Sequence, residues 1–144
     1  MRALDLDDDY TEPEPGDTTA DSSSAPTYES MLDWVQRWLT PVVARKLGGN
    51  TGKGRVLCPQ WWAHPEVAVR FDAMWRGWEG AKASEDPSAM SGWWVYHADA
   101  HLRILLDGEA GPMYRCSKDT HTTGTDPLSG LLQPAPEELL PATH

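Results

Sequence analysis

Phenylalanine, isoleucine and asparagine occur once each in the 144 residues, as Phe71, Ile104 and Asn50. No apolar run approaches the ~18–20 residues of a membrane span, so the sequence predicts a chain that stays out of the bilayer. The first nine residues hold one arginine and then acids, with no apolar core of a secretory signal. Cysteine is scarce: only Cys58 and Cys116. Two thiols without a secretory signal point to a reducing, cytoplasmic setting rather than a disulfide framework. A basic excess is also missing. Net charge is −10, and there is no overall pull toward DNA, RNA or anionic lipid.

The negative charge sits at the ends. Residues 1–29 carry nine acids against Arg2, and residues 117–144 four acids against Lys118. Residues 30–116 hold nine acids and ten bases. The ends are also rich in proline and serine or threonine and poor in apolar mass, so folding them would not repay their entropy. The expected organisation is a disordered acidic tail over 1–27, a folded domain over 28–118 and a disordered C-terminal tail over 119–144. A fragment of residues 28–118 is then expected to melt like the whole chain.

Within the middle, helical spacing of Met31, Trp34, Val35, Trp38 and Leu39 predicts a first helix, capped by Thr27 or Ser30 and disturbed at Pro41. It has room to run on to Leu47, before Gly48-Gly49-Asn50. Pro65 and Glu66 open a second helix, with Val67, Phe71, Met74, Trp75 and Trp78 as its apolar stripe. A third helix is expected over Trp93 to Leu106, with Ser91 as cap. Its predicted inner face is Trp94, His97, Ala98, His101 and Leu105. Val56-Leu57 reads as a short extended piece. The fold class is therefore mostly α, a small three-helix Trp-rich domain. Gly52-Lys53-Gly54 is not a phosphate loop, because the spacing of that motif is missing.

What is abundant is tryptophan. All eight lie between Trp34 and Trp94. Two readings stand. Each ring can bury roughly 150–250 Å² and strengthen a core short of aliphatics, or several rings can form a stacking platform for bases or sugars. Stacking grooves come with a basic track, which the near-neutral middle does not supply, so packing is the expectation. The doublets Trp61-Trp62 and Trp93-Trp94 place neighbouring rings about 100° apart on a helix. One of each pair is then a candidate interface anchor.

His97 and His101 stand four apart, on one helix face. Cys58 and Cys116 each fall at the junction of a loop and an element. The four are the candidate ligands of a tetrahedral zinc site. The alternative is two buried free thiols with histidines that merely pack or cap. In His97-Ala98-Asp99-Ala100-His101 an alanine replaces the general-base glutamate of a metalloprotease helix. Neither cysteine carries the surroundings of a catalytic nucleophile, so no catalytic residue is assigned.

The blocks Trp34-Val35-Gln36-Arg37-Trp38-Leu39, Cys58-Pro59-Gln60-Trp61-Trp62-Ala63-His64-Pro65-Glu66, Met74-Trp75-Arg76-Gly77-Trp78, Trp93-Trp94-Val95-Tyr96-His97 and Gly111-Pro112-Met113-Tyr114-Arg115-Cys116 resemble an actinobacterial domain-of-unknown-function family, number four-nine-one-three. Ala100 and Met113 stand where that pattern has proline and phenylalanine. The resemblance implies a setting on plasmids, integrative conjugative elements or phages, and brings no reaction with it. The expectation is a non-enzymatic accessory protein acting by binding an unidentified protein partner, with nucleic acid and membrane not expected as partners. The alternatives are a zinc-stabilised module contacting nucleic acid, and an enzyme of undefined chemistry. No cofactor other than zinc is suggested.

Overall fold

The computed structural model describes residues 25–122, 127–139 and 141–142. The acidic segment expected over 1–27 thus lies, up to residue 24, outside the described residues. The remainder is mostly helical: three helices packed around tryptophan, with no strand among the described residues.

Helix α1 spans 31–42. It begins as Met31–Trp34, continues as a wider π turn over Val35–Leu39 and closes as Thr40–Val42. Ser30 caps it: its backbone is extended, and its Oγ accepts from the Asp33 amide at 3.1 Å. In the π turn the Thr40 amide reaches back five residues to the Val35 carbonyl, which the Thr40 hydroxyl also contacts at 2.9 Å. The helix stops at Val42, short of the Leu47 limit, because Val43 turns extended (φ −86°, ψ 122°).

Helix α2, Pro65–Ala83, has Pro65 and Glu66 in its first turn as expected, and runs through Gly77 and Gly80 to Ser84. Helix α3 spans 89–105, as Ala89–Gly92, a π turn over Trp93–Ala98, and Asp99–Leu105. It starts earlier than expected, after a turn in which the Asp86 carboxylate accepts from both the amide and the hydroxyl of Ser88.

Where the three helices meet, Trp34, Trp38, Trp78, Trp93 and Trp94 form one aromatic cluster, with centroid separations from 4.8 Å (Trp38–Trp78) to 6.1 Å (Trp34–Trp93). Tyr28 joins it against Trp78 at 5.7 Å. The segment before α1 is tied to α2 by Glu79, whose carboxylate accepts from the amides of Thr27 and Tyr28 and from the Trp75 indole. A second aromatic contact, Trp61 on Phe71 at 5.2 Å, lies by the start of α2.

The connection from α1 to α2 is fastened to the end of α3. Arg55 and Asp107 form an isolated antiparallel bridge, flanked by bonds from the Val56 amide to the Leu106 carbonyl and from the Gly108 amide to the Gly54 carbonyl. This is the extended piece expected near Val56. Glycine is required on both sides. Gly54 adopts φ +65°, and a Cβ on Gly108 would stand 2.7 Å from the carbonyl oxygens of Lys53 and Gly54.

Candidate metal centre

The anchored 55–58 stretch carries Cys58 into the interior, where it is fully buried. From there the chain makes the 3-10 turn Trp61–Ala63 and places His64 at the N-cap of α2. The amide of His64 bonds back to the Trp61 carbonyl, and its own carbonyl accepts from Ala68. These bonds hold the ring inward at 3 % exposure. Beyond α3 a tight turn brings Cys116 in, its amide on the Met113 carbonyl, while the Met113 sulfur accepts from the Cys58 amide at 3.4 Å. One further turn, closed by Ser117 and Thr120 through backbone and hydroxyl bonds, delivers His121.

Four donors converge as a result. One ligating atom from each of Cys58, His64, Cys116 and His121 lies within 4.8 Å of all the others. His121 Nδ1 is 3.0 Å from Cys58 Sγ and 3.9 Å from Cys116 Sγ, and His64 Nε2 is 3.4 Å from Cys116 Sγ. Bonds of about 2.3 Å to sulfur and 2.0–2.1 Å to nitrogen around a tetrahedral zinc put neighbouring donors about 3.3–3.8 Å apart, the range these separations span. The Gln60 amide donates to Cys58 Sγ at 3.3 Å and the Thr122 amide to Cys116 Sγ at 3.5 Å. Such bonds favour the thiolate that a metal requires.

Without a cation the group is electrostatically uncomfortable. Burial, together with the neighbouring Cys116, pushes the Cys58 thiol up to about 11 against the partial relief of the Gln60 amide. Burial, and then the nearby His121, holds His64 below the usual histidine value. A divalent ion reverses both effects, since it rewards thiolates and neutral imidazoles together.

Of the four ligands expected from sequence, the structure brings together Cys58 and Cys116. His97 and His101 are not in the cluster. His97 is exposed, and His101 Nδ1 faces Arg70 Nη1 at 3.1 Å. The reason is the π turn of α3. It makes the inner step Trp93 to Ala98 five residues long, after which Leu102 and Leu105 follow. The buried stripe therefore runs beside the histidines instead of through them. The missed pair had a signal of its own, a cysteine followed by a histidine across a short turn, in Cys58 to His64 and again in Cys116 to His121.

The tryptophan doublets divide as their spacing predicts. Trp61 is 8 % exposed and Trp62 58 %. Trp93 is buried, its indole donating to the Met74 carbonyl at 2.9 Å, while Trp94 is half-buried beside Trp38. No helix among the described residues is long and apolar enough to cross a membrane.

The profile of one protein family, described as a domain of unknown function (DUF4913), matches residues 28–136. Neither a curated protein nor a solved structure matches the chain. The matched span takes in all four donors of the cluster.

Proposed function

The chain belongs to the DUF4913 family, and we propose that it is a non-enzymatic, zinc-clamped domain that works by binding another protein in the cytoplasm. The family resemblance suggests an actinobacterial mobile element as its setting. The observation that carries the clamp is the convergence of Cys58, His64, Cys116 and His121, all but His121 buried. Two cysteines and two histidines complete a tetrahedral shell, leaving no position for a reacting water or substrate, as in structural zinc sites. When bound, zinc supplies folding free energy and no chemistry. The clamp ties the start of α2 to the segment leaving α3. Exposed Trp62 and half-buried Trp94 are the rings proposed as interface anchors, with Trp61 and Trp93 packed behind them.

The test is metal analysis of the full chain purified without chelator. About one zinc per chain is expected. His64→Ala and His121→Ala should each lose it, and His97→Ala and His101→Ala should keep it. Cobalt substitution should give the visible and sulfur-to-metal absorption of a tetrahedral two-sulfur site. Metal-free protein of unchanged stability, or zinc lost only on replacing His97 or His101, overturns the clamp.

A further inference from the structure

A groove of 590 Å³ lies on the side of the fastening between the α1–α2 connection and α3. Arg45, Lys46, Arg55 and Arg103 line it over a floor that includes Leu102 and Leu106, together with the carboxylates of Asp99 and Asp107. Asp107 is partly committed elsewhere, accepting from the amides of Glu109 and Ala110 at 2.9 and 3.3 Å. The four cations outnumber the acids.

These cations also differ from three arginines of α1 and α2. Arg37, Arg70 and Arg76 each pair with a carboxylate four residues earlier, on Asp33, Glu66 and Asp72. Among the described residues, Lys46, Arg55 and Arg103 form no ion pair, and Arg45 donates only to the adjacent Ala44 carbonyl. Four cations around one concavity that holds only two carboxylates repel one another, at a cost that an anionic occupant relieves.

The sequence supplies such an occupant. Residues 34–65 contain five bases (Arg37, Arg45, Lys46, Lys53, Arg55) and no acid, and three of the five line the groove. Residues 5–14 contain six acids (Asp5, Asp7, Asp8, Asp9, Glu12, Glu14) and no base. Opposite charges are thus sorted into two blocks of one chain. The described chain begins at residue 25, beside Glu79 on α2. The eleven residue steps from Glu14 to Ala25 extend up to ~36 Å, and a domain of this size has a radius of gyration of about 13 Å. The groove lies toward the end of α3, whose 17 residues measure about 25 Å, so it is within reach.

We propose that the acidic segment 5–14 of the chain occupies the Arg45–Lys46–Arg55–Arg103 groove of the same molecule. Held there, it shields this basic concavity from other polyanions, so any acidic partner of that groove must displace it. The contact is electrostatic and salt-sensitive: the Debye length falls from about 10 Å at 0.1 M to about 3 Å at 1 M.

Carbodiimide coupling of the full chain tests this, because it joins carboxylates to amines only when they touch. Peptide mass spectrometry should find Asp5–Glu14 joined to Lys46 and Lys53 at least several-fold more often than to Lys82 or Lys118. About 1 M salt should abolish that preference, and Arg55→Glu with Arg103→Glu should reduce it. A mixture of isotope-labelled and unlabelled chains should give joined peptides of one label. Mixed labels mean a second copy fills the groove and overturn the proposal. Equal coupling to all four lysines, or DNA bound in the groove of the full chain, overturns it too. The salt arm uses the unaltered protein, and none of these readouts depends on zinc.

Discussion

Trp93 and Trp78 show how much a single polar atom decides inside an aromatic core. Both rings are almost fully buried, and both sit in the same cluster. The Trp93 indole donates to Met74, whereas the Trp78 indole nitrogen has no hydrogen-bond partner among the described residues. Replacing either with phenylalanine removes similar volume, so the difference reports the fate of the N–H: a bond lost at Trp93, an unpaired donor removed at Trp78. Trp93→Phe should cost about 0.5–1.5 kcal/mol more than Trp78→Phe, the usual net worth of one hydrogen bond. Equal losses in denaturant unfolding would show that the Met74 contact adds nothing. The same logic explains why the tryptophans pack. Their number makes up for missing aliphatics, and the rings meet tilted or edge-on, except Trp34 and Trp38, which stack at 17°.

At the scale of elements, α2 and α3 are joined by the aromatic cluster and also by Arg70 against His101. Burial first, then the Arg70 charge and His97, lower the His101 pKa from its ordinary 6.5. The ring is therefore neutral at neutral pH, with Nδ1 accepting from the guanidinium. The sign follows from proton counts. Below about pH 6.5 the unfolded chain takes up a proton that the folded one refuses, so stability falls as pH drops from there to the folded pKa. Arg70→Gln should raise the His101 titration midpoint toward 6.5, read by proton NMR of the ring. A midpoint already at 6.5 in the unaltered protein would remove the linkage. The π turns act at this scale too. In α1 and α3 alike the extra residue lies where tryptophans crowd the helix junction, and it re-aims the residues that follow.

For the whole molecule, the place of His121 beside Cys58 bears on where the working domain ends. Composition places the edge at 118, among polar turn residues. His121 lies three residues beyond, within 3.0 Å of Cys58. If zinc holds these groups, a chain ending at 122 should retain both metal and melting temperature, and one ending at 118 should lose both. For a domain this size each kcal/mol lost lowers Tm by about 4–8 °C, a shift that scanning calorimetry resolves. Identical melting of the two truncations would return the edge to 118 and count against the clamp.

Much of the fold was legible in the sequence, because it depends on local chemistry. The Ser30 cap, Pro65 at the first helical position and the concentration of tryptophan between 34 and 94 act within a few residues of themselves. They specify three helices and an aromatic core. So did the pairing of Cys58 with Cys116, since the chain has no other thiols. The partners of those thiols were decided only in three dimensions. The i, i+4 rule assumes 3.6 residues per turn, and a five-residue step in α3 turned His97 and His101 off the buried stripe. His64 and His121 reached the sulfurs because a bridge at Arg55 and Asp107, and turns at 61–63 and 117–120, fold distant loops onto one point. Periodicity reports which residues share a face. It carries no information on where two loops more than fifty residues apart will meet, which is set by the packing of the helices between them.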